Sequence, residues 1–405
     1  MRTGSYPEGP GYGDFAISHH IAALRGIETA LGTSLPNLNV SGLAQIPRYY
    51  VGEFSATRRP HVHAPVAYAQ TRLSDGPCLP CLRTDIGGNG FTPSGSSFNW
   101  ADGGTGEGSW LPVAFARRYA DSLSDGIVYA ARQTVVKAVA SGGGCAPPAP
   151  PTPGHKPRKP SAEPICAVLL ADFDGRGTAD DLHSLPPSHV YPHTAVGILR
   201  SSWSNQGAWI GFKGGDNALQ QIGKGTTHTH ADQGSFVLDM AGARFAEDLG
   251  ADSYFDRGYF SFQKFDWYAS STAGHNTLTF SGLGQDACMD SFPAQLPSTW
   301  YGGERAPVRA DSTSCRAAIS EFNETEGWGI VDLAQSYTLS GAKGVMRGIA
   351  LTRGSTEAED GALILDEFDA SGALAHQILL SVSLLQVVGA KRVLTARGCH
   401  QARRT

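Results

Sequence analysis

The sequence predicts an α+β chain in which helices come first and an antiparallel β-sandwich follows. Helical spacing of apolar residues occurs before about residue 140, a stretch rich in Pro and Gly covers residues 141–164, and short β-rich runs recur beyond residue 165. Because the two kinds of element are segregated along the chain, this order favours two separate domains over an α/β layering. A chain of 405 residues is long enough to bury a core in each domain.

The first part of the chain contains two segments with helical periodicity. Residues 14–31 carry five apolar side chains at helical spacing, namely Ile17, Ile21, Leu24, Ile27 and Leu31. Gly32 follows at the position where such a helix would end. Residues 111–140 show similar spacing, whereas residues 33–110 are rich in Gly, Ser and Pro and predict loops.

The middle stretch, residues 141–164, contains eight prolines. Such a composition cannot form a packed core, so we interpret it as an exposed, semi-stiff linker or a surface insertion. Beyond it, residues 165–390 are expected to form the sandwich, and residues 391–405 are a tail with no assigned structure.

Short β-rich runs bounded by turn residues predict the strands of this sandwich. They cover residues 195–200, 207–212, 235–240, 244–248, 277–280, 329–334, 346–352 and 362–368. Ala241-Gly242 predicts a tight turn between two of them. Many short strands at regular spacing are typical of an antiparallel β-sandwich.

Composition and charge narrow the classes of partner. The formal net charge of -5 gives no reason to propose nucleic acid binding. The sequence contains no run of about 18 apolar residues, so we expect no membrane span. Residues 1–7 lack the pattern of a signal peptide. Cys78 and Cys81 form a CxxC without a second pair, and for them we favour a loop over a metal or redox site.

The most informative residues lie between 227 and 277. His228 and His230 are two apart, so in an extended chain their side chains point to the same face. Asp248 and His275 follow within about fifty residues. Three imidazoles and a carboxylate provide the groups for a zinc site or for proton transfer, and the residues by themselves leave both open.

The motifs around these residues resemble a known family. The segments are His-Thr-His-Ala-Asp-Gln-Gly-Ser-Phe at 228–236, Glu-Asp-Leu-Gly at 247–250 and His-Asn-Thr at 275–277. Together they resemble the central signature of heparinase II/III-type polysaccharide lyases. Residues 6–12, 97–102 and 199–203 resemble further segments of that family in the same order.

The resemblance implies a fold and a reaction. The fold is an incomplete α/α-toroid followed by an antiparallel β-sandwich, with residues 1–140 as the C-terminal part of the toroid. The reaction is β-elimination on uronic-acid-containing glycans such as alginate or a glycosaminoglycan. It requires donors that offset the carboxylate charge, a base for the C5 proton and an acid for the departing 4-oxygen.

Carried over residue by residue, the resemblance implies catalytic roles for three side chains. His228 and Tyr12 do the proton work, and Tyr259 is the favoured second tyrosine, with Tyr268 as the weaker choice. The substrate-binding candidates are Asn99, Trp100 and Arg200. For Asn99 and Trp100, a packing role remains an equal alternative.

The resemblance also implies a metal. Its ligands fall on His230, Asp248 and His275, and two imidazoles with one carboxylate suit zinc. We expect the zinc to brace the sandwich loops, with Asn276 and Asp232 as partners that orient the ligands.

Three interpretations follow. Because only eleven residues precede Tyr12, we expect a truncated polysaccharide lyase that lacks most of the toroid and is inactive or nearly so. The alternatives are a non-catalytic carbohydrate-binding or structural β-sandwich with a retained zinc site and, less favoured, a zinc-dependent hydrolase. The expected partner is an acidic polysaccharide, and the sequence leaves open whether the chain forms a homodimer. The resemblance implies an extracellular or secretory location.

Overall fold

The computed structural model describes the chain in separate stretches. It describes residues 17–32, 45–49 and 98–133 in part, and residues 175–219, 228–289, 308–309, 315–369 and 378–380 with short gaps. Several sequence predictions lie outside the described residues. They include Tyr12, Asn99, the Cys78 and Cys81 pair, the Ala241-Gly242 turn, the linker at 141–164 and the tail at 391–405. Among the described residues, no helix is both long and apolar enough to cross a membrane.

The described helical residues fall where the sequence predicts helices and at two further places, one of which lies within the predicted loops of residues 33–110. Those between 17 and 31 are helical, and Gly32 ends the segment with a φ of 65°. Ile17 and Ile21 are buried, but Ile27 and Leu31 are at least half exposed. The predicted apolar face is therefore buried at its beginning and solvated at its end.

Other helical residues lie at 46, 48 and 49, at 125–130 and at 133, and a short helix, α1, spans Ala179–His183. Thr178 caps α1, because its side chain accepts from the backbone of Asp181 while the Asp181 carboxylate bonds back to the cap. These pieces agree with a helical first part. That they belong to a toroid stays a proposal.

The first large sheet has five antiparallel strands in the order β1-β2-β3-β6-β7. Its strands are β1 His189–Tyr191, β2 Val196–Arg200, β3 Trp209–Lys213, β6 Phe236–Met240 and β7 Ala243–Ala246. Every residue of β2, β3 and β6 is buried. This explains why these strands are continuous apolar runs in the sequence and show no alternation.

The second large sheet is also antiparallel and has the order β14-β13-β12-β11-β4. Its strands are β4 Gly215–Asp216, β11 Arg316–Asn323, β12 Trp328–Asp332, β13 Lys343–Thr352 and β14 Gly361–Asp369. Buried and more exposed residues alternate along β12, β13 and β14, as expected for a sheet with one face toward a core.

Smaller strands complete the described structure. They are β5 Ala218–Leu219, β8 Leu278–Phe280, β9 Ala287–Met289, β10 Val308–Arg309 and β15 Ile378–Leu380. The order β10-β9-β5 forms a small parallel sheet, and β15 pairs with β8 antiparallel. The predicted runs coincide with observed strands. The sequence contains no predicted run for β11 or for the short strands β1, β4, β5, β9, β10 and β15.

Two cores explain the different burial of the sheets. One lies between them and includes Phe212 and Leu238 of the first sheet with Val331 and Ile349 of the second. The other covers the opposite face of the first sheet, where Trp209 packs in a cluster that also contains helical residues from the first part of the chain. The first sheet is thus a middle layer, and Phe98, Trp100 and Ala101 lie against it.

Candidate functional site

A short segment before the sandwich brings one carboxylate into the region of the predicted site. Phe98 lies so close to Gly211 that a Cβ there would be 2.7 Å from its ring. Trp100 is buried beside Phe98, with ring centroids 4.9 Å apart. Ala101 has a φ of 58°, a conformation that non-glycine residues rarely adopt. The Asp102 backbone N–H then donates to the His228 carbonyl at 3.0 Å.

The Asp102 carboxylate is the hub of the site. Its Oδ2 lies 2.6 Å from His228 Nδ1, and its Oδ1 lies 2.7 Å from His230 Nε2. The Tyr259 hydroxyl and the Lys264 ammonium also donate to Oδ1, the latter at 2.8 Å. One buried carboxylate therefore joins two histidines, a tyrosine and a lysine.

The charges around Asp102 keep it ionised. Burial opposes ionisation, but hydrogen bonds with His228 and His230 and the charge of Lys264 hold the pKa of Asp102 well below its usual range. Burial lowers the pKa of Lys264, although Asp102 opposes that shift. Burial and the bond to Asp102 raise the pKa of Tyr259, so its hydroxyl stays protonated.

A second cluster lies behind His230. One ligand-type atom each from His230, Asp232 and His275 comes within 4.8 Å of the others, and all three residues are buried. His230 Nδ1, Asp232 Oδ2 and His275 Nε2 have no hydrogen-bond partner among the described residues. Three buried polar atoms that lie close together without hydrogen-bond partners are the arrangement expected of a metal-binding triad.

The far atoms of this triad are held by charged partners. Asp102 bonds His230 through Nε2, and Asp248 bonds His275 through Nδ1 at 3.1 Å. Lys213 Nζ lies 2.6 Å from the other oxygen of Asp232. Each imidazole thus has one nitrogen fixed by a carboxylate and the other directed into the cluster, as in carboxylate–histidine–metal units. The residues present fit a divalent metal with borderline ligands such as zinc.

The two imidazoles differ in their proton affinity. Burial lowers the pKa of His230, and the nearby Lys264 and His275 lower it further. Burial also disfavours the charged form of His275, but Asp248 outweighs it and raises the pKa. A metal must therefore displace a proton from His275 more often than from His230.

Arg347 of β13 locks both loops that carry the triad. Its fully buried guanidinium donates to the carbonyls of Gly234 and Asn276, each at 2.7 Å, and forms a bidentate pair with Asp366. The Asn276 amide in turn donates to the carbonyls of Phe236 and Glu247. The second sheet thereby fixes the position of the His-Asn-Thr motif.

The opposite side of Asp102 is more open. The Tyr254 hydroxyl lies 3.2 Å from His228 Nδ1, and Tyr254 is 40% exposed. Its ring centroid is 5.0 Å from that of the buried Tyr259. Phe255, next in the chain, is 99% exposed. His228 is itself buried, at 8% exposed, so solvent reaches this side of Asp102 mainly at Tyr254 and Phe255.

The structure places the sequence-predicted residues in different roles. It brings together His228, His230, His275 and Tyr259 around Asp102 and the triad. Asp248 bonds His275 through Nδ1, the nitrogen that points away from the triad, whereas Asp232 is a member of the triad. The sequence predicts Asp248 as the ligand and Asp232 as the orienting group. Direct ligation by Asp248 stays a prediction. The structure buries the two described substrate-binding candidates: Trp100 is in a core, and the Arg200 guanidinium lies 4.9 Å from the Trp203 ring centroid.

Three residues of the site have no functional role predicted from the sequence. Asp102 lies in the segment 97–102 that resembles the family, but no role is predicted for it. Tyr254 is not among the predicted tyrosines, which are Tyr12, Tyr259 and Tyr268. Lys264 has no local signal, because its partner Asp102 is 162 positions away in the sequence.

These features define a β-sandwich domain with a buried histidine–carboxylate centre at the end of its first sheet. The family model described as heparinase II/III-like, C-terminal, matches residues 186–384. Residues 186–384 therefore match a heparinase II/III-like C-terminal domain, and the resemblance seen in the motifs within that range is confirmed. A comparison with curated protein sequences finds no match.

Solved structures of polysaccharide lyases are among those similar to the chain. Heparinase III is 12% identical with a TM-score of 0.45, and the match covers 94% of this chain and 42% of that one. A mutant heparan sulfate lyase from Pedobacter heparinus is 14% identical with a TM-score of 0.28, over 60% of this chain and 34% of that one. The chain spans about two fifths of the length of the first of these.

Proposed function

We propose that the chain is the C-terminal part of a polysaccharide lyase that cleaves uronate glycans by β-elimination, with His228 in the proton-transfer step. The observation that carries the proposal is the contact of His228 with both Asp102 and the half-exposed Tyr254, inside a heparinase II/III-like domain. The histidine, its orienting carboxylate and the phenol provide candidates for the base and the acid that the reaction needs.

The proposed step breaks the C5–H and C4–O4 bonds of the uronate. The proton leaves C5 for a base, the electron pair forms the C4–C5 double bond, and O4 departs with a proton from an acid. Because Nδ1 of His228 is engaged by Asp102, Nε2 is the nitrogen that we assign to proton transfer. Tyr254 is the described phenol best exposed for the second transfer, and Tyr12 is the candidate from the resemblance.

Tyr259 fits a supporting role better than that of a base. Its hydroxyl donates to Asp102, and burial raises its pKa, so loss of its proton is strongly disfavoured. It can still donate hydrogen bonds. We therefore propose that Tyr259 contributes to catalysis as a hydrogen-bond donor near the reacting groups.

We propose zinc as the metal of the triad, held by His230, His275 and a carboxylate. The structure favours Asp232 as that carboxylate, whereas the resemblance favours Asp248. A bound zinc would supply Lewis acidity and a rigid centre. We assign it a bracing role, because the triad is fully buried and the proton-transfer groups lie on the other side of Asp102.

The test is ultraviolet absorbance of the conjugated C4–C5 double bond on a panel of alginate, heparan sulfate, hyaluronan and ulvan. The chain is assayed together with a form extended by any coding sequence upstream of Met1. Absorbance that rises with one polysaccharide and is lost in His228→Ala supports the proposal. Glycan binding without absorbance in both forms would instead support the non-catalytic sandwich, and reducing ends without absorbance would support a hydrolase.

A further inference from the structure

We propose that Asp102 is a positioning residue that sets the orientation and tautomer of the metal-ligand histidine and of the proton-transfer histidine together. The inference deepens the proposed function and rests on it in the role given to His228. It makes one carboxylate the physical link between the buried metal-binding triad and the open side of the site.

The geometry divides the two Asp102 oxygens between the two histidines. Oδ2 accepts from His228 Nδ1 at 2.6 Å, and Oδ1 accepts from His230 Nε2 at 2.7 Å. A carboxylate has no proton to donate, so it requires N–H at both of these ring atoms. His230 is then left with a lone pair on Nδ1 toward the triad, and neutral His228 with a lone pair on Nε2.

The position of Asp102 is fixed by contacts other than those with the two imidazole rings. The φ of Ala101 is in the left-handed region, and the Asp102 backbone N–H bonds the His228 carbonyl. A backbone outlier that persists beside a buried functional group is a form of strain found at active sites. Lys264 adds a buried ammonium at 2.8 Å, which keeps the carboxylate charged when neither imidazole is.

A buried carboxylate with a purely structural role would not need to divide its two oxygens between two histidines. Asp239 on β6 shows the contrast, because it is equally buried and its carboxylate is satisfied by the Arg244 guanidinium at 2.6 Å and 3.0 Å. Asp239→Asn is therefore a matched control. It removes a buried carboxylate that has a cationic partner, and it leaves the contacts of Asp102 in place.

The experiment uses the full chain with zinc and has two readouts besides activity. Nitrogen-15 spectra of the histidine side chains report the tautomer of each ring, and competition with a chelator reports zinc affinity. In the wild type, neutral His228 should carry its proton on Nδ1. In Asp102→Asn that preference should be lost and zinc affinity should fall about 10- to 100-fold, the usual effect of removing such a partner. Asp239→Asn should keep both properties.

Two results would overturn the proposal. One is a wild-type His228 protonated on Nε2 and not on Nδ1, which decides the matter even where Asp102→Asn fails to fold. The other is wild-type zinc affinity in a folded Asp102→Asn protein. If neither form of the chain produces absorbance on any polysaccharide while both readouts follow the expectation, the lyase assignment fails and the positioning role stands.

Discussion

The two sides of Asp102 contain similar residues and differ in their access to water. On one side, His230, Asp232 and His275 are buried, and each has one unsatisfied atom directed into the cluster. On the other, His228 is paired with Tyr254, which is half exposed, beside the fully exposed Phe255. Imidazoles two residues apart in the sequence thus serve two environments.

This contrast shows how a single motif can build two sites. A buried set of unsatisfied ligands is costly unless something satisfies it, which favours a resident ion. A histidine that has one nitrogen held by a carboxylate and lies next to an exposed tyrosine is suited to a ligand that binds and dissociates.

The largest effect is expected at the open side. His228→Ala should lower β-elimination by about 100- to 10,000-fold, because it removes the proton-transfer group while the fold keeps its cores. Initial rates by ultraviolet absorbance measure it in the active form of the protein. His193→Ala, at an exposed turn between β1 and β2, is the control and should keep full rate. Full activity in His228→Ala would remove this site from the chemistry.

Variants of the three tyrosines should differ in their β-elimination rates in the same assay. Tyr254→Phe is expected to lower the rate about 100-fold if it is the acid, because Phe keeps the ring and removes the proton. Tyr12→Phe should do so instead if the resemblance identifies the acid correctly. Tyr259→Phe should mainly weaken the network at Asp102. Equal rates in Tyr254→Phe and the wild type would exclude Tyr254 from proton transfer.

At the closed side we expect a stability effect that depends on metal. Purified protein should hold about one zinc, and His230→Ala/His275→Ala should hold none. At free zinc 100-fold above the dissociation constant, the wild type should gain about 2.7 kcal/mol of unfolding free energy over its apo form, and the double variant none. Elemental analysis and thermal unfolding with and without chelator measure this. Full metal content in the double variant would refute the site.

Variants of Asp232 and Asp248 show which of the two carboxylates is the zinc ligand on the closed side. If Asp232 is the ligand, Asp232→Asn should lower zinc affinity more than Asp248→Asn, for which about 10- to 100-fold is expected from its bond to His275. Chelator competition on both variants gives the order. The opposite order would make Asp248 the ligand, as the resemblance implies, and Asp232 the orienting group.

The smallest effect concerns pH. The pKa values of Asp102 and Asp248 are lowered in the folded state, so their ionised forms stabilise it above the unfolded value of about 3.9. That contribution should be lost as the pH falls below about 4. Urea unfolding in chelator at several pH values should therefore show a shallower acid slope for Asp102→Asn than for the wild type. Identical slopes would contradict the lowered pKa.

The sequence predicted the strands well because burial imposes regular patterns. Strands β2, β3 and β6 are buried on both faces and stand out as apolar runs, and β13 and β14 follow the burial of one core. The exposed strand β11 was missed, since only a few of its residues pack inward. The exposure of the apolar helical face after Ile21 could not be predicted either, because burial depends on which elements pack against that face.

The site was predictable in its residue types and not in its partners. The HxH pair and the His-Asn-Thr motif are local, and both lie in the site. The pairing of His228 with Asp102 spans 126 positions, so no periodicity could indicate it. Choosing between Asp232 and Asp248 required knowing which ring nitrogen each carboxylate faces. Both are set by packing against the first sheet and by the bonds of Arg347.

The central claim is that the buried triad holds a metal while His228 remains on the open side. X-ray absorption at the zinc edge tests it most directly on the zinc-loaded chain and on the His228→Ala and His275→Ala variants. The account predicts two imidazoles and at least one oxygen ligand in the wild type, the same spectrum in His228→Ala, and loss of an imidazole or of the zinc in His275→Ala. A spectrum that changes in His228→Ala, or one unchanged in His275→Ala, would contradict it.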